Sequence, residues 1–73
     1  MNFSFFCLDR LQRISNYLSS YKDVDRKYAA GRLLELESMA FSFRNSGFLT
    51  LADFNEFDFA AEALRRRFFL KEV

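Results

Sequence analysis

Four cations near the end of the chain, Arg65, Arg66, Arg67 and Lys71, are the residues best suited to a chemical task. Guanidinium and ammonium groups bind phosphates, and arginine also stacks on nucleobases. This cation cluster is therefore a candidate nucleic-acid contact. A second interpretation is that the cations end a helix, where they stabilise the negative pole of its dipole.

The charge around the cation cluster favours the second interpretation. Eleven Lys and Arg against ten Asp and Glu leave a formal net charge of +1, so no overall field attracts nucleic acid. Three carboxylates, Asp53, Glu56 and Asp58, precede the cluster in the same predicted helix. A recognition helix presents its N-terminal residues to DNA, and these carboxylates would repel phosphates.

No combination of residues in the chain predicts catalysis. The chain has no histidine, the side chain most often used for acid–base chemistry at neutral pH, and no glycine-rich phosphate loop. Cys7 is the only cysteine, which excludes an intramolecular disulfide and a Cys/His zinc site. We interpret Cys7 as a core residue. We expect no catalytic residue, metal, cofactor or small-molecule substrate.

The composition predicts an all-α fold with a surplus of aromatic rings. Proline is absent, glycine occurs twice and β-branched residues are rare, so strands have little local support. Phenylalanine occurs eleven times. Each buried ring covers about 150–250 Å², and a domain of this size has too little interior for so many. We therefore expect several phenylalanines on a surface that a partner or a second copy covers.

Apolar periodicity predicts a single domain, residues 1–73, folded as an antiparallel three-helix bundle with helices at about 4–21, 24–44 and 51–70. In each helix one apolar stripe recurs at steps of three and four residues and should form the core. The stripes are Phe3, Cys7, Leu11, Ile14, Leu18 and Tyr21; Ala29, Leu33, Leu36, Ala40 and Phe43, with a flank of Ala30, Leu34 and Phe41; and Phe54, Phe57, Ala61, Leu64 and Phe68.

Turn and capping residues mark where the predicted helices begin and end. Gly47 suits the left-handed position after the second helix. Thr50, with Asp53 three residues later, matches the spacing of a capping box, so the third helix should begin at Leu51. The expected N-cap of the second helix is Ser20 or Asp23.

The outer face of the third helix carries a second apolar surface that folding alone does not explain. It lies nearly opposite the core stripe and has charged borders, a composition typical of protein interfaces. Two other interpretations are that Phe59 is a scattered surface residue and that both faces pack within the monomer. The predicted partner-binding residues are Glu56, Phe59, Ala63, Arg66, Arg67 and Leu70.

A weaker line of the same kind, Phe6, Arg10, Arg13 and Tyr17, runs beside the core stripe of the first helix. Stacking of arginine on aromatic rings is a sufficient structural explanation for it. We therefore assign this line no function from the sequence.

The apolar start of the chain does not predict a membrane segment. It lacks a cationic leader region, and Asp9 and Arg10 interrupt it early, so we expect a cytoplasmic protein without membrane contact. The leading functional prediction is a non-catalytic protein-binding module, a small inhibitor, adaptor or regulator. Its partner would be another protein, or a second copy of itself, bound by the outer face of the third helix. The alternative is a nucleic-acid-binding regulator that uses the cation cluster.

Overall fold

Three amphipathic segments form helices that pack side by side. The computed structural model describes residues 2–20 and 22–70. The helices are α1 (Phe3–Ser20), α2 (Arg26–Asn45) and α3 (Leu51–Arg67), and each packs against the other two. The described residues contain no strand, and none of their helices has the length and apolar character needed to cross a membrane. The predicted three-helix bundle is confirmed.

The core lies where the predicted apolar stripes of the three helices meet. Its buried helical members are Cys7, Leu11 and Leu18; Ala29, Ala30, Leu33, Leu36 and Ala40; and Phe57, Ala61 and Leu64. The half-buried stripe residues are Phe3, Ile14, Phe43, Phe54 and Phe68. Leu34 and Phe41 of the predicted flank are exposed, and Tyr21 lies outside the described residues. Helical periodicity thus predicts the core, and most of the large rings lie at its margin.

Cys7 lies at the centre of the core and is completely enclosed. Burial raises the pKa of its thiol above the ordinary value of 9.0. The thiol is therefore protonated at neutral pH and shielded from reagents in solution. The interpretation of Cys7 as a core residue is confirmed.

Helix α2 begins two residues later than predicted, after Asp25. The Asp25 carboxylate caps the helix by accepting a hydrogen bond from the Tyr28 N–H at 2.9 Å. The Asp25 N–H in turn donates to the hydroxyl of Tyr17 on α1 at 2.8 Å. Because this contact between helices fixes the cap at Asp25, the predicted caps Ser20 and Asp23 are wrong.

The connection between α2 and α3 follows the prediction. Gly47 has a φ of 81°, and the Phe48 N–H donates to the Phe43 carbonyl at 2.8 Å, as in a Schellman motif. The Thr50 hydroxyl then accepts a hydrogen bond from the Asp53 N–H at 3.0 Å and caps α3. The left-handed glycine and the threonine cap are both confirmed.

Helix α3 ends at Arg67, three residues earlier than predicted. Phe69 adopts a left-handed backbone conformation with a φ of 56°, and the Leu70 N–H donates to the Arg65 carbonyl at 2.9 Å. A glycine normally occupies the left-handed position in this arrangement. The turn buries Leu70 to 6% exposure and leaves Phe69 in solvent at 78%. No glycine marks this end of the helix, so the sequence pattern extends the helix too far.

Candidate functional site

Most of the phenylalanine rings reach the surface. Of the eleven, Phe57 alone is fully buried, at 2% exposure. The rings exposed by half or more are Phe5, Phe41, Phe48, Phe59 and Phe69. Several rings therefore lie outside the core, as expected, and their cover by a partner or a second copy stays a prediction.

Two of the exposed rings, Phe41 and Phe48, take part in contacts within the fold. The Arg44 guanidinium lies 4.7 Å from the rings of both Phe41 and Phe54, which joins α2 to α3. Phe48 stacks on Phe3 with 4.7 Å between the ring centroids. Contacts of these kinds each stabilise by about 0.5–1.5 kcal/mol. Phe41 and Phe48 therefore serve the fold itself.

The outer face of α3 presents Phe59 to solvent at 73% exposure. Ala52, Glu56, Glu62 and Ala63 surround it on that face, and all four are exposed. We call these five residues the α3 ridge. Among the described residues, Phe59 has no ring or guanidinium partner, which distinguishes it from the two rings above.

The structure divides the predicted partner-binding residues into two groups. The exposed group is Glu56, Phe59, Ala63, Arg66 and Arg67. Leu70 forms the second group, because α3 ends before it and the following turn buries it in the core. Its prediction as part of the outer face is wrong.

Arg65 is buried and belongs to the fold. Its guanidinium donates to both carboxylate oxygens of Glu37 on α2, at 3.0 and 2.5 Å, and lies 3.7 Å from Glu62. With 9% of its side chain exposed, Arg65 is enclosed away from any nucleic acid, so its prediction as a phosphate contact is wrong. Lys71 lies outside the described residues. The sequence signal for this burial is that Arg65 follows Ala61 by one turn, at the margin of the core stripe.

A groove of 440 Å³ runs along the seam between α1 and α2. Among the described residues, all that line it belong to those two helices, so it opens on the side of the bundle away from α3. We call it the α1/α2 groove. Its principal lining residues are Phe6, Arg10, Arg13 and Tyr17 of α1, and Tyr28, Arg32, Glu35 and Met39 of α2.

Arginine side chains dominate the charge of the α1/α2 groove, with three of them against one carboxylate among the described lining residues. Arg13 lies 3.1 Å from Asp9, and Arg32 lies 3.6 Å from Glu35, both within their own helices. The side chains of Arg13 and Arg32 are 65% and 52% exposed. Exposed pairs of this kind are weak, so both guanidinium groups can exchange their partners for an anionic ligand.

Aromatic contacts hold both ends of the α1/α2 groove. At one end the Phe6 ring lies 6.2 Å from that of Phe43 and 4.9 Å from the Arg10 guanidinium. At the other end the Tyr17 and Tyr28 rings meet edge to face at 5.8 Å. The stacking interpretation of the α1 line is confirmed for Arg10 and Phe6. Both ring contacts join α1 to α2, the two helices that form the walls of the groove.

Sequence reasoning missed the α2 wall of the groove. Its residues Tyr28, Arg32, Glu35 and Met39 recur at steps of four, three and four, which is a detectable helical signal. The pattern does not specify which side of α2 faces α1. Tertiary packing decides which side of α2 faces α1, so the sequence alone identified only the α1 wall.

The α3 ridge and the α1/α2 groove are both suited to binding. The ridge offers an aromatic ring among carboxylates, and the groove offers aromatic rings among guanidinium groups. Within the part of the chain that the structure describes, no group of three or more Cys, Asp or Glu side chains is placed to hold a metal ion. No protein-family model matches the chain, and no curated protein or solved structure is significantly similar to it.

Proposed function

We propose that this protein is a non-catalytic protein-binding module, a small inhibitor, adaptor or regulator, that docks on its partner through the α3 ridge. The observation that supports this is Phe59, whose ring is 73% exposed in the middle of a regular helix. Covering such a side chain contributes about 1.5–3 kcal/mol of hydrophobic free energy. Because folding does not bury this ring, a partner that covers it gains that free energy.

The surroundings of Phe59 suit a docking site. Ala52 and Ala63 are small, so a partner can approach the α3 backbone closely. Glu56 and Glu62 supply charge at the border, which selects partners and speeds their encounter. An aromatic centre with a polar border is also the usual pattern of a binding hot spot. Because α3 is already folded, binding does not require it to be ordered.

The two other exposed phenylalanines without a described ring or guanidinium contact are less suited to docking. Phe5 lies in the first turn of α1, and Phe69 lies beyond the end of α3 in a left-handed turn. Neither sits at the centre of a helical face. Phe59 does, which is why we assign the docking role to the ridge.

A protein is a better candidate partner than a nucleic acid. With Arg65 enclosed, the cation cluster presents Arg66 and Arg67 among the described residues, and the adjoining ridge carries carboxylates that repel phosphates. We place the interaction in the cytoplasm, where an unpaired cysteine such as Cys7 stays reduced.

The test first identifies the partner and then measures its affinity. Benzoylphenylalanine in place of Phe59 crosslinks the partner in cells of the native host, and the same probe at the exposed Asn16 controls for chance collisions. The identified protein is purified, and its affinity for the wild type and for Phe59→Glu is measured by calorimetry. We expect Phe59→Glu to weaken binding at least about 30-fold, the effect of losing a hot-spot residue.

Two controls accompany the affinity measurement. Phe5→Glu makes the same change at another exposed ring and should bind like the wild type. The circular dichroism spectrum of Phe59→Glu should match that of the wild type. Unchanged affinity contradicts the proposal, and so does loss of helical structure, which would show that Phe59 is needed for folding.

A further inference from the structure

The α3 ridge and the α1/α2 groove carry opposite charges. The ridge holds two exposed carboxylates, Glu56 and Glu62, on either side of Phe59 and no cation, and the exposed Arg66 and Arg67 follow it at the end of α3. The described lining of the groove holds three arginines and one carboxylate. The ridge is convex with a projecting aromatic ring, whereas the groove is concave and lined by rings and cations. Each surface therefore has the charge and shape that complement the other.

We propose that the occupant of the α1/α2 groove is the α3 ridge of a second copy of this chain, so that copies associate head to tail. This inference rests on the proposed function. It keeps the α3 ridge as the docking surface and identifies the partner as a second copy of the chain. Phe59 of one copy enters the groove of the next copy. Glu56 and Glu62 beside it meet the guanidinium groups of Arg13 and Arg32 at the rim of the groove.

The lengths of the two surfaces agree. Phe6 and Tyr17, at the two ends of the groove, are eleven residues apart along α1, and the ridge from Ala52 to Ala63 has the same length. Eleven residues of helix span about 16 Å. A helix placed there occupies the fourth position of a four-helix bundle, where axes lie about 8–10 Å apart. The alanines at both ends of the ridge permit that approach.

The chemistry of the contact favours Phe59 as the central residue. A guanidinium group over an aromatic face is attracted by the negative potential that the ring quadrupole creates there, and Arg10 already lies over Phe6 in this way. Arg13 and Arg32 are more exposed and able to reach an incoming ring or carboxylate.

Symmetric association is disfavoured for two reasons. The groove opens away from α3 and the ridge lies on the outer side of α3, so two copies cannot exchange both contacts at once. Pairing of ridge with ridge would bring Glu56 and Glu62 of both copies together, and like charges oppose association. Head-to-tail contact leaves one ridge and one groove unoccupied at the ends, so association continues beyond dimers.

The strength of the association follows from its size and charge. One helix in one groove makes a small interface, in the class below about 1,200 Å² that is typical of weak complexes. Its exposed carboxylate and guanidinium pairs are screened by salt. We therefore expect association that increases with protein concentration and decreases with ionic strength.

The test uses two full-length variants that each disable one surface. Phe59→Glu disables the ridge, and Arg13→Glu combined with Arg32→Glu disables the groove. All three side chains are exposed, so the fold should be retained; if circular dichroism shows that Phe59→Glu loses helix, Phe59→Ala replaces it. Sedimentation equilibrium measures the average mass of each protein and of their equimolar mixture.

The expected results differ for each sample. The wild type should exceed the mass of a dimer as concentration rises, and each variant alone should stay monomeric. The mixture should form a dimer and no larger species, because it contains one intact ridge and one intact groove. A charge-matched control, Lys22→Glu with Lys27→Glu, reverses two exposed cations outside the groove and should associate like the wild type.

Three results overturn this inference. The first is a wild type that stays monomeric up to about 1 mM. A dissociation constant of that size corresponds to a binding free energy of about −4 kcal/mol. The second is self-association that persists in the groove variant, and the third is a mixture that gives no dimer. They leave the proposed function standing if the probe at Phe59 crosslinks a different protein and Phe59→Glu weakens binding to that protein.

Discussion

Arg65 of α3 and Glu37 of α2 form a two-point ion pair beneath the surface of the bundle, with nitrogen–oxygen distances of 3.0 and 2.5 Å. The Arg65 side chain is 9% exposed and that of Glu37 is 22% exposed. Loss of either partner leaves a charge in a site that water reaches poorly, and the penalty is larger for the more deeply buried charge.

Replacement of each partner by methionine should therefore have unequal effects. Glu37→Met leaves the buried Arg65 cation without its main carboxylate and should reduce the free energy of unfolding by about 2–4 kcal/mol. Arg65→Met should cost about 1 kcal/mol or less, because Glu37 can turn toward solvent. Urea denaturation measures both, and the double variant should lose less than the sum of the single variants. Equal losses in the two single variants would contradict this account.

Phe69→Gly should stabilise the protein by about 1 kcal/mol. Phe69 holds a positive φ, which a glycine adopts without steric conflict and a larger residue does not. Thermal unfolding measures the change. Phe69→Ala is the matched control, because alanine keeps the strain, and it should give little or no gain. Gly47→Ala introduces the same strain at the other left-handed position and should destabilise by about 1 kcal/mol.

The stabilising effect of Cys7 should decline at high pH. Burial raises the pKa of its thiol, so the unfolded chain loses the proton near the ordinary value of 9.0 while the folded chain still holds it. The contribution of Cys7 is therefore complete below about pH 9 and decreases as pH rises toward the folded pKa. Urea denaturation of wild type and Cys7→Ala across this range measures the difference. A difference that stays constant above pH 9 would argue against a buried neutral thiol.

Arg44 should stabilise the α2–α3 contact through its planar shape as well as its charge. Its guanidinium lies 4.7 Å from the rings of Phe41 and Phe54. Arg44→Gln should lower stability by about 1–2 kcal/mol. Arg44→Lys keeps the charge at the end of the helix but loses the flat face, so it should fall between Arg44→Gln and the wild type in thermal unfolding. If Arg44→Lys matches the wild type, the charge alone accounts for the effect.

The parts of the fold that the sequence predicts are those with a local cause. Helical periodicity identifies the three helices and most of the core, because burial selects apolar residues at every third or fourth position. Gly47 and Thr50 are predicted because a left-handed turn and a helix cap require particular residue types. The exposure of Phe59 follows from the same periodicity, since its position lies opposite the core stripe.

The errors have causes that act between helices. Asp25 caps α2 because the Tyr17 hydroxyl on α1 accepts a hydrogen bond from its N–H. Arg65 is buried because Glu37 on α2 neutralises its charge. From the sequence, an arginine is expected at the surface. Phe69 takes the left-handed conformation that usually requires glycine, and the resulting turn places Leu70 in the core. The sequence identified only the α1 wall of the groove, because the residues of the second wall depend on how α2 is rotated against α1.

The Tyr17–Tyr28 contact gives the α1/α2 groove an optical signal of its own. The chain contains no tryptophan, so its ultraviolet fluorescence comes mainly from its three tyrosines. Two of the three line the same end of the groove, with their ring centroids 5.8 Å apart. Two of the three tyrosines that contribute to emission and near-ultraviolet circular dichroism therefore lie in the groove, so ligand binding there should change the spectra of the unlabelled chain.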